Sequence, residues 1–156
     1  MGGICHDGAS IPIRISTLYS GEHGHLYAAP SQVPLRRAAP YSFAGPKRFQ
    51  PVPIGVDALG PLDAVVISHD HYDHLDHPTV LALAKTPVTF YTSLGVGAHL
   101  AAWGVPEERI VELDWWDTVR VPHGELELTF APSQHFSGRG PASRNLTLWS
   151  SVVVRT

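Results

Sequence analysis

Residues 67–78 read ISHDHYDHLDHP and place four histidines and three aspartates in twelve positions. At neutral pH the imidazoles are mostly uncharged and the carboxylates are ionised, so the stretch carries uncompensated negative charge. Carboxylates held this close repel one another. A divalent cation removes the repulsion, because imidazole and carboxylate both ligate zinc-like metals. The stretch directly follows DAVVIS (63–68), a continuous apolar run rich in β-branched residues. Such a run predicts a strand buried on both faces. In layered α/β folds, ligands collect at the carboxyl ends of strands of this kind.

His69 and His71 are two residues apart, and in an extended segment such residues project to one side, so both can reach one ion. Asp73 and His74 follow at the end of the loop, where they would reach a second ion. Two ions within about 4 Å can share a bridging hydroxide, a nucleophile available at neutral pH. Asp70 and Tyr72 point away from the ligand side and receive no ligand role. Asp76 either orients a ligand histidine or caps the next helix, and the residues leave both roles open. His135 lies in PSQHFSGR, after the alternating run ELELTFAP (125–132), and so also sits at a strand end. A third imidazole from a separate strand is what a three-histidine ion site needs. A solvated histidine-rich loop is the competing reading, and the spacing behind a buried strand disfavours it. His23 and His25 share the two-residue spacing, but no recognisable strand precedes them, so they read as a solvated loop. His6, His99 and His123 read as ordinary surface residues.

The rest of the chain alternates strands and helices. HPTVLALAK predicts a helix over 78–85, with Pro78 at its first position and Asp76 or His77 as the cap. VTFYT (88–92), RIVEL, TVRVP, ELELTFAP and NLTLWSSVVV predict strands, and a short helix over 94–103 ends at Gly104. In ELELTFAP, the residues Leu126, Leu128 and Phe130 share one face. The expected fold class is α/β (α+β), with one mixed sheet and both helices on one of its faces. Trp103, Trp115, Trp116 and Trp149 are expected to be mostly buried around it. Residues 1–34 show no periodicity and are expected to be irregular. Within 28–55, six prolines interrupt a stretch that also holds Tyr41, Phe43 and Phe49, which predicts an ordered but irregular loop.

A length of 156 residues suits one domain with a real core. The formal charge of −3 gives no electrostatic case for binding nucleic acid. Cys5 is the single cysteine, so neither an internal disulfide nor a cysteine-rich zinc site can form. No apolar run approaches the roughly 20 residues of a membrane span, and the start of the chain does not read as a secretion signal. A cytoplasmic setting is therefore expected, with room for peripheral contact with a membrane.

His69-Asp70-His71-Tyr72-Asp73-His74 fits the HxHxDH signature of the metallo-β-lactamase fold superfamily. YSFAGPKRF, VVISHDHYDHLD, VELDWWD, PSQHFSGR and NLTLWSS together resemble bacterial relatives of the phospholipase D that hydrolyses N-acylphosphatidylethanolamine. The resemblance covers roughly residues 35–154. It implies an αββα sandwich with a dinuclear zinc centre. His69, His71 and His135 would hold one ion and Asp73 and His74 the other, those last two also serving as catalytic residues. The implied reaction is hydrolysis of a phosphodiester or phospholipid by a metal-bound hydroxide. Arg36, Arg37, Lys47, Arg48, Arg139 and Arg144 are candidates for attracting an anionic head group, the last two being better placed.

The resemblance also implies departures. The first 27 residues match nothing in that family, and the family's bridging aspartate and last histidine have no counterpart in residues 136–156, which contain no Asp, Glu, His or Cys. Residues 35–156 are thus expected to form an incomplete domain, mainly the first half of the sandwich, with an incomplete second metal site. The same five ligands would also serve hydrolysis of a lactam, thioester or lactone. A different class of reading is a catalytically inactive metal-binding remnant or half of a split protein. Such a chain would be a poor catalyst alone and would self-associate through an exposed C-terminal strand. A third reading is a structural module whose histidines hold nothing.

Overall fold

The computed structural model describes residues 61–122 and 126–155, together with Val56, Leu59 and four strands within residues 2–28. Arg36, Arg37, Lys47, Arg48, His23, His123 and the aromatic residues of the proline-rich stretch lie outside the described residues.

Strand β5 (Ala64–Ile67) is buried along its whole length, as a continuous apolar run dictates. Its alternate residues serve different layers. Val65 and Ile67 join Phe90, Val80, Leu83 and Leu100 in a core beneath the helices. Ala64 and Val66 join Tyr91, Leu128 and Phe130 in a second core on the opposite face. The sheet lies between these two cores. Its strand order is β3 (Leu18–Gly21), β4 (Gly24–Ala28), β5, β6 (Thr89–Ser93), β7 (Ile110–Leu113). The pairs from β4 to β7 are parallel. Helices α1 (His77–Leu83) and α2 (Gly97–Ala102) supply the crossovers and cover one face.

The other face is covered by a second sheet, with antiparallel order β10 (Ser151–Arg155), β9 (Glu127–Ala131), β8 (Thr118–Arg120). Leu126, Leu128 and Phe130 are at most 1% exposed, so the alternating run does bury one face. Helices, parallel sheet and antiparallel sheet make three layers of an αββα-type sandwich. The expectation of one mixed sheet is corrected: the strands after Leu113 leave the first sheet. The Asp114–Asp117 turn reverses the chain, with the Asp117 N–H donating to the Asp114 carbonyl at 3.2 Å. Trp115 and Trp116 sit on this turn and are 36% and 71% exposed, which corrects their expected burial. The final strand is also shorter than the apolar pattern suggested. NLTLWS is irregular, and only Ser151–Arg155 pairs.

The N-terminal segment, expected to be irregular, contains four strands. Strands β1 (Gly2–His6) and β2 (Ala9–Ile13) form an antiparallel hairpin, and β1 lies beside β10. In this hairpin His6 pairs with Ala9, so the sequence between them is Asp-Gly, a strong local hairpin signal. Strands of four or five residues between glycines are too short for a periodicity reading to register.

Candidate metal centre

Strand β5 ends at Ile67, and its terminal carbonyls are pinned by neighbouring side chains. The Thr92 hydroxyl donates to the Ile67 carbonyl at 3.1 Å. The Ser93 hydroxyl and the Ser150 N–H both donate to the Ser68 carbonyl, at 2.9 and 3.0 Å. The backbone entering the histidine loop is thus held by β6 and by the approach to β10. From there His69 and His71 project to one side and Asp70 to the other.

His135, on the loop after β9, completes a triangle with the first two histidines. His69 Nε2 lies 3.0 Å from His71 Nδ1 and 2.9 Å from His135 Nε2. The His71–His135 side measures 3.1 Å. Nitrogens bound at about 2.0–2.1 Å to one tetrahedral ion stand about 3.3 Å apart, so the triangle is the right size for such an ion. Facing lone pairs at these distances repel unless a proton or a cation lies among them. A proton is disfavoured at His69, whose pKa is lowered to about 3 by burial and by His74, His135 and His71. His135 is also lowered, chiefly by burial and by His71. Ser68 Oγ lies 2.8 Å from His69 Nδ1, which suits the tautomer that leaves Nε2 free to ligate. The three imidazoles therefore form a converging donor set able to hold a metal ion.

Asp73 and His74 stand beside the triangle. His74 Nε2 is 3.4 Å from Asp73 Oδ2, a spacing two ligands of one ion can have, and the His74 ring is 4.3 Å from that of His69. His74 Nδ1 is buried without a hydrogen-bond partner among the described residues, and burial lowers the pKa of the ring. Phe136 forms an apolar wall, with its ring edge-on to His71 at 4.7 Å and the Arg144 guanidinium 4.8 Å above it.

The match to known proteins agrees with this geometry. The Beta-lactamase superfamily domain matches residues 30–156. This chain belongs to the β-lactamase superfamily. An uncharacterized protein of Mycobacterium tuberculosis is 53% identical over 116 residues, 74% of this chain and 30% of that protein. N-acyl-phosphatidylethanolamine-hydrolyzing phospholipase D 1 of Caenorhabditis elegans is 34% identical over 125 residues, 76% of this chain and 35% of the enzyme. A metal-dependent hydrolase of Pyrobaculum aerophilum is 33% identical over 82 residues, 51% of this chain and 34% of that protein. The alignments thus span about a third of each relative, between 30% and 35%.

Within this superfamily frame, several side chains have roles that the sequence did not reveal. Asp70 does face away from the triangle, but it is 1% exposed and accepts a hydrogen bond from the Gly138 N–H at 2.7 Å. Burial raises its pKa, yet His99, the Gly138 N–H and Thr147 outweigh burial and hold it below the ordinary value. His99, expected to be an ordinary surface residue, stands with Nε2 3.6 Å from Asp70 Oδ2. Arg139, a candidate for attracting an anionic head group, is committed elsewhere. It donates to the carbonyls of Asp70 and Leu75 at 2.6 and 2.8 Å and stacks over Tyr72 at 4.1 Å. Asp76 is the helix cap: Oδ2 accepts from the Thr79 N–H at 3.0 Å and from the Thr79 hydroxyl at 2.6 Å. Among the described residues, no helix is long and apolar enough to cross a membrane.

Proposed function

We propose that this chain carries the metal-binding part of a zinc-dependent hydrolase acting on phosphodiesters, with a phospholipid of the N-acylphosphatidylethanolamine type as substrate. The observation that carries the reading is the convergence of His69, His71 and His135, with Asp73 and His74 alongside. The similarity to the nematode phospholipase D supports the substrate class. Residues 35–156 would form the catalytic domain's share of this chain, and residues 1–34 an extension of it.

Zinc, held by His69, His71 and His135 and at a second position by Asp73 and His74, would supply a Lewis acid and an activated water. The protein's own contribution is placement. Burial keeps His69 neutral, so its Nε2 offers a lone pair without first losing a proton. The Ser68 hydroxyl, 2.8 Å from Nδ1, can accept its proton and so accommodates the tautomer with Nε2 free. Asp73 is exposed at the mouth of the site and would orient the incoming water, while His74 stands half-buried behind it. Phe136 and Arg144, at the rim, offer an apolar contact and a cation to a lipid phosphodiester.

The test is to load the purified chain with zinc, count the ions retained, and assay a generic phosphodiester, an N-acylphosphatidylethanolamine and a simple lactone. Retained zinc that disappears in His71→Ala, together with phosphodiester turnover, supports the reading. Zinc retention with lactone turnover alone replaces the substrate class. Failure to retain zinc overturns the reading.

A further inference from the structure

The histidine loop uses one side for ligands and the other side for grip. His69 and His71 face the triangle, while the intervening Asp70 and the following Tyr72 face the loop that delivers His135. That second loop, residues 135–147, is closed on itself. The Ser137 hydroxyl donates to the Thr147 carbonyl at 2.5 Å, and the Asn145 N–H donates to the Ser137 carbonyl at 3.0 Å. Gly138 has φ +141, and a Cβ there would stand 3.1 Å from the Arg144 Cα, so the loop's close approach requires glycine. Its N–H meets Asp70 Oδ1 at 2.7 Å. The next residue, Arg139, donates to the Asp70 and Leu75 carbonyls, and its own carbonyl accepts from the Tyr72 hydroxyl at 2.5 Å. The four bonds to Asp70, Tyr72 and Leu75 each join residues more than 60 positions apart, and none involves a side chain of the triangle.

We propose that Asp70 is a positioning residue which, with Arg139, locks the His135 loop onto the histidine loop and so sets the spacing of the three imidazoles. His135 has few other anchors. Its ring is exposed, and its N–H makes only a turn contact to the Ser133 carbonyl at 3.0 Å among the backbone bonds outside regular elements. Upstream, the Trp149 indole N–H donates to the Ser133 carbonyl, and the place of His135 relative to His69 and His71 is further set three and four residues downstream, where the lock sits. A carboxylate is used because it is a strong acceptor for a backbone N–H and can tolerate burial when charged partners stand close. The Arg139 guanidinium, bonded to the Asp70 carbonyl, supplies that charge, and His99 Nε2 stands 3.6 Å from Oδ2. Outer partners of this kind commonly change metal affinity by about 10–100-fold without touching the ion.

The inference rests on the metal reading of the triangle, and the experiment separates the two. Zinc affinity and the visible absorption of the cobalt-substituted protein are measured for the full chain and for Asp70→Ala, Asp70→Asn and Arg139→Met, well below each variant's melting temperature. Asp70→Ala is expected to lose about 10–100-fold in affinity and to change the cobalt spectrum. Asp70→Asn keeps an acceptor for the Gly138 N–H and should recover most of the affinity. If Asp70→Ala does not fold, Arg139→Met decides, with a loss in the same direction expected. A lowered melting temperature with unchanged affinity and spectrum would overturn the positioning role. Absence of metal from the unmodified chain would instead overturn the metal reading itself.

Discussion

Burial and the neighbouring imidazoles make His69 resist protonation. Its pKa in the folded chain is about 3, against an ordinary value of 6.5. The unfolded chain takes up this proton as pH falls below about 6.5, while the folded chain refuses it until about 3. The unfolded state then binds more protons, so stability falls with falling pH across that window and is fully present above it. Thermal melts of the metal-free protein should show this slope, and His69→Gln should flatten it. At His69 itself a proton competes with the metal only as the pH approaches about 3. The triangle was legible in sequence because His69 and His71 alternate with non-ligands after a buried strand and His135 follows another strand. Asp70, His99 and Arg139 were not legible. Alternation shows that Asp70 faces away, but only the folded chain shows that Gly138, 68 positions later, is what it faces.

Each helix is started by a carboxylate, but from different sources. For α1 the cap is Asp76, adjacent in sequence, and Asp76→Ala should cost about 1 kcal/mol in urea unfolding. For α2 it is Glu112 of β7, whose Oε1 accepts from the Gly97 N–H at 2.7 Å. A Cβ at position 97 would stand 2.8 Å from that oxygen and 2.9 Å from Ile110 Cγ2. Gly97→Ala should therefore destabilise by about 1–3 kcal/mol, measured in the same way. The Asp-His-Pro order left the first cap open between Asp76 and His77, and the second joins residues 15 apart across a sheet edge. Strand β9 was legible because its burial alternates. The Trp115–Trp116 turn was misread because large aromatics suggest a core, while flanking Asp114 and Asp117 close a turn at the surface.

Two cores back to back hold the histidine-bearing loops in register, one beneath the helices and one between the sheets. Strand β5 belongs to both, so its end is a firmly placed point from which to hang the histidine loop. Phe130, fully buried between the sheets, should cost about 3–5 kcal/mol when changed to Ala. The layering was legible in the doubly buried run AVVI. The split into two sheets was not, because the reversal at 114–117 depends on local hydrogen bonds rather than on apolar pattern. The central claim is that three imidazoles share one ion. X-ray absorption at the zinc edge of the chain loaded with a single equivalent of zinc, so that only the triangle is filled, tests it most directly. Three imidazole nitrogens at about 2.0–2.1 Å are expected, falling to two in His135→Ala. A shell with fewer than three imidazoles in the unmodified chain, or one unchanged in His135→Ala, would contradict the account.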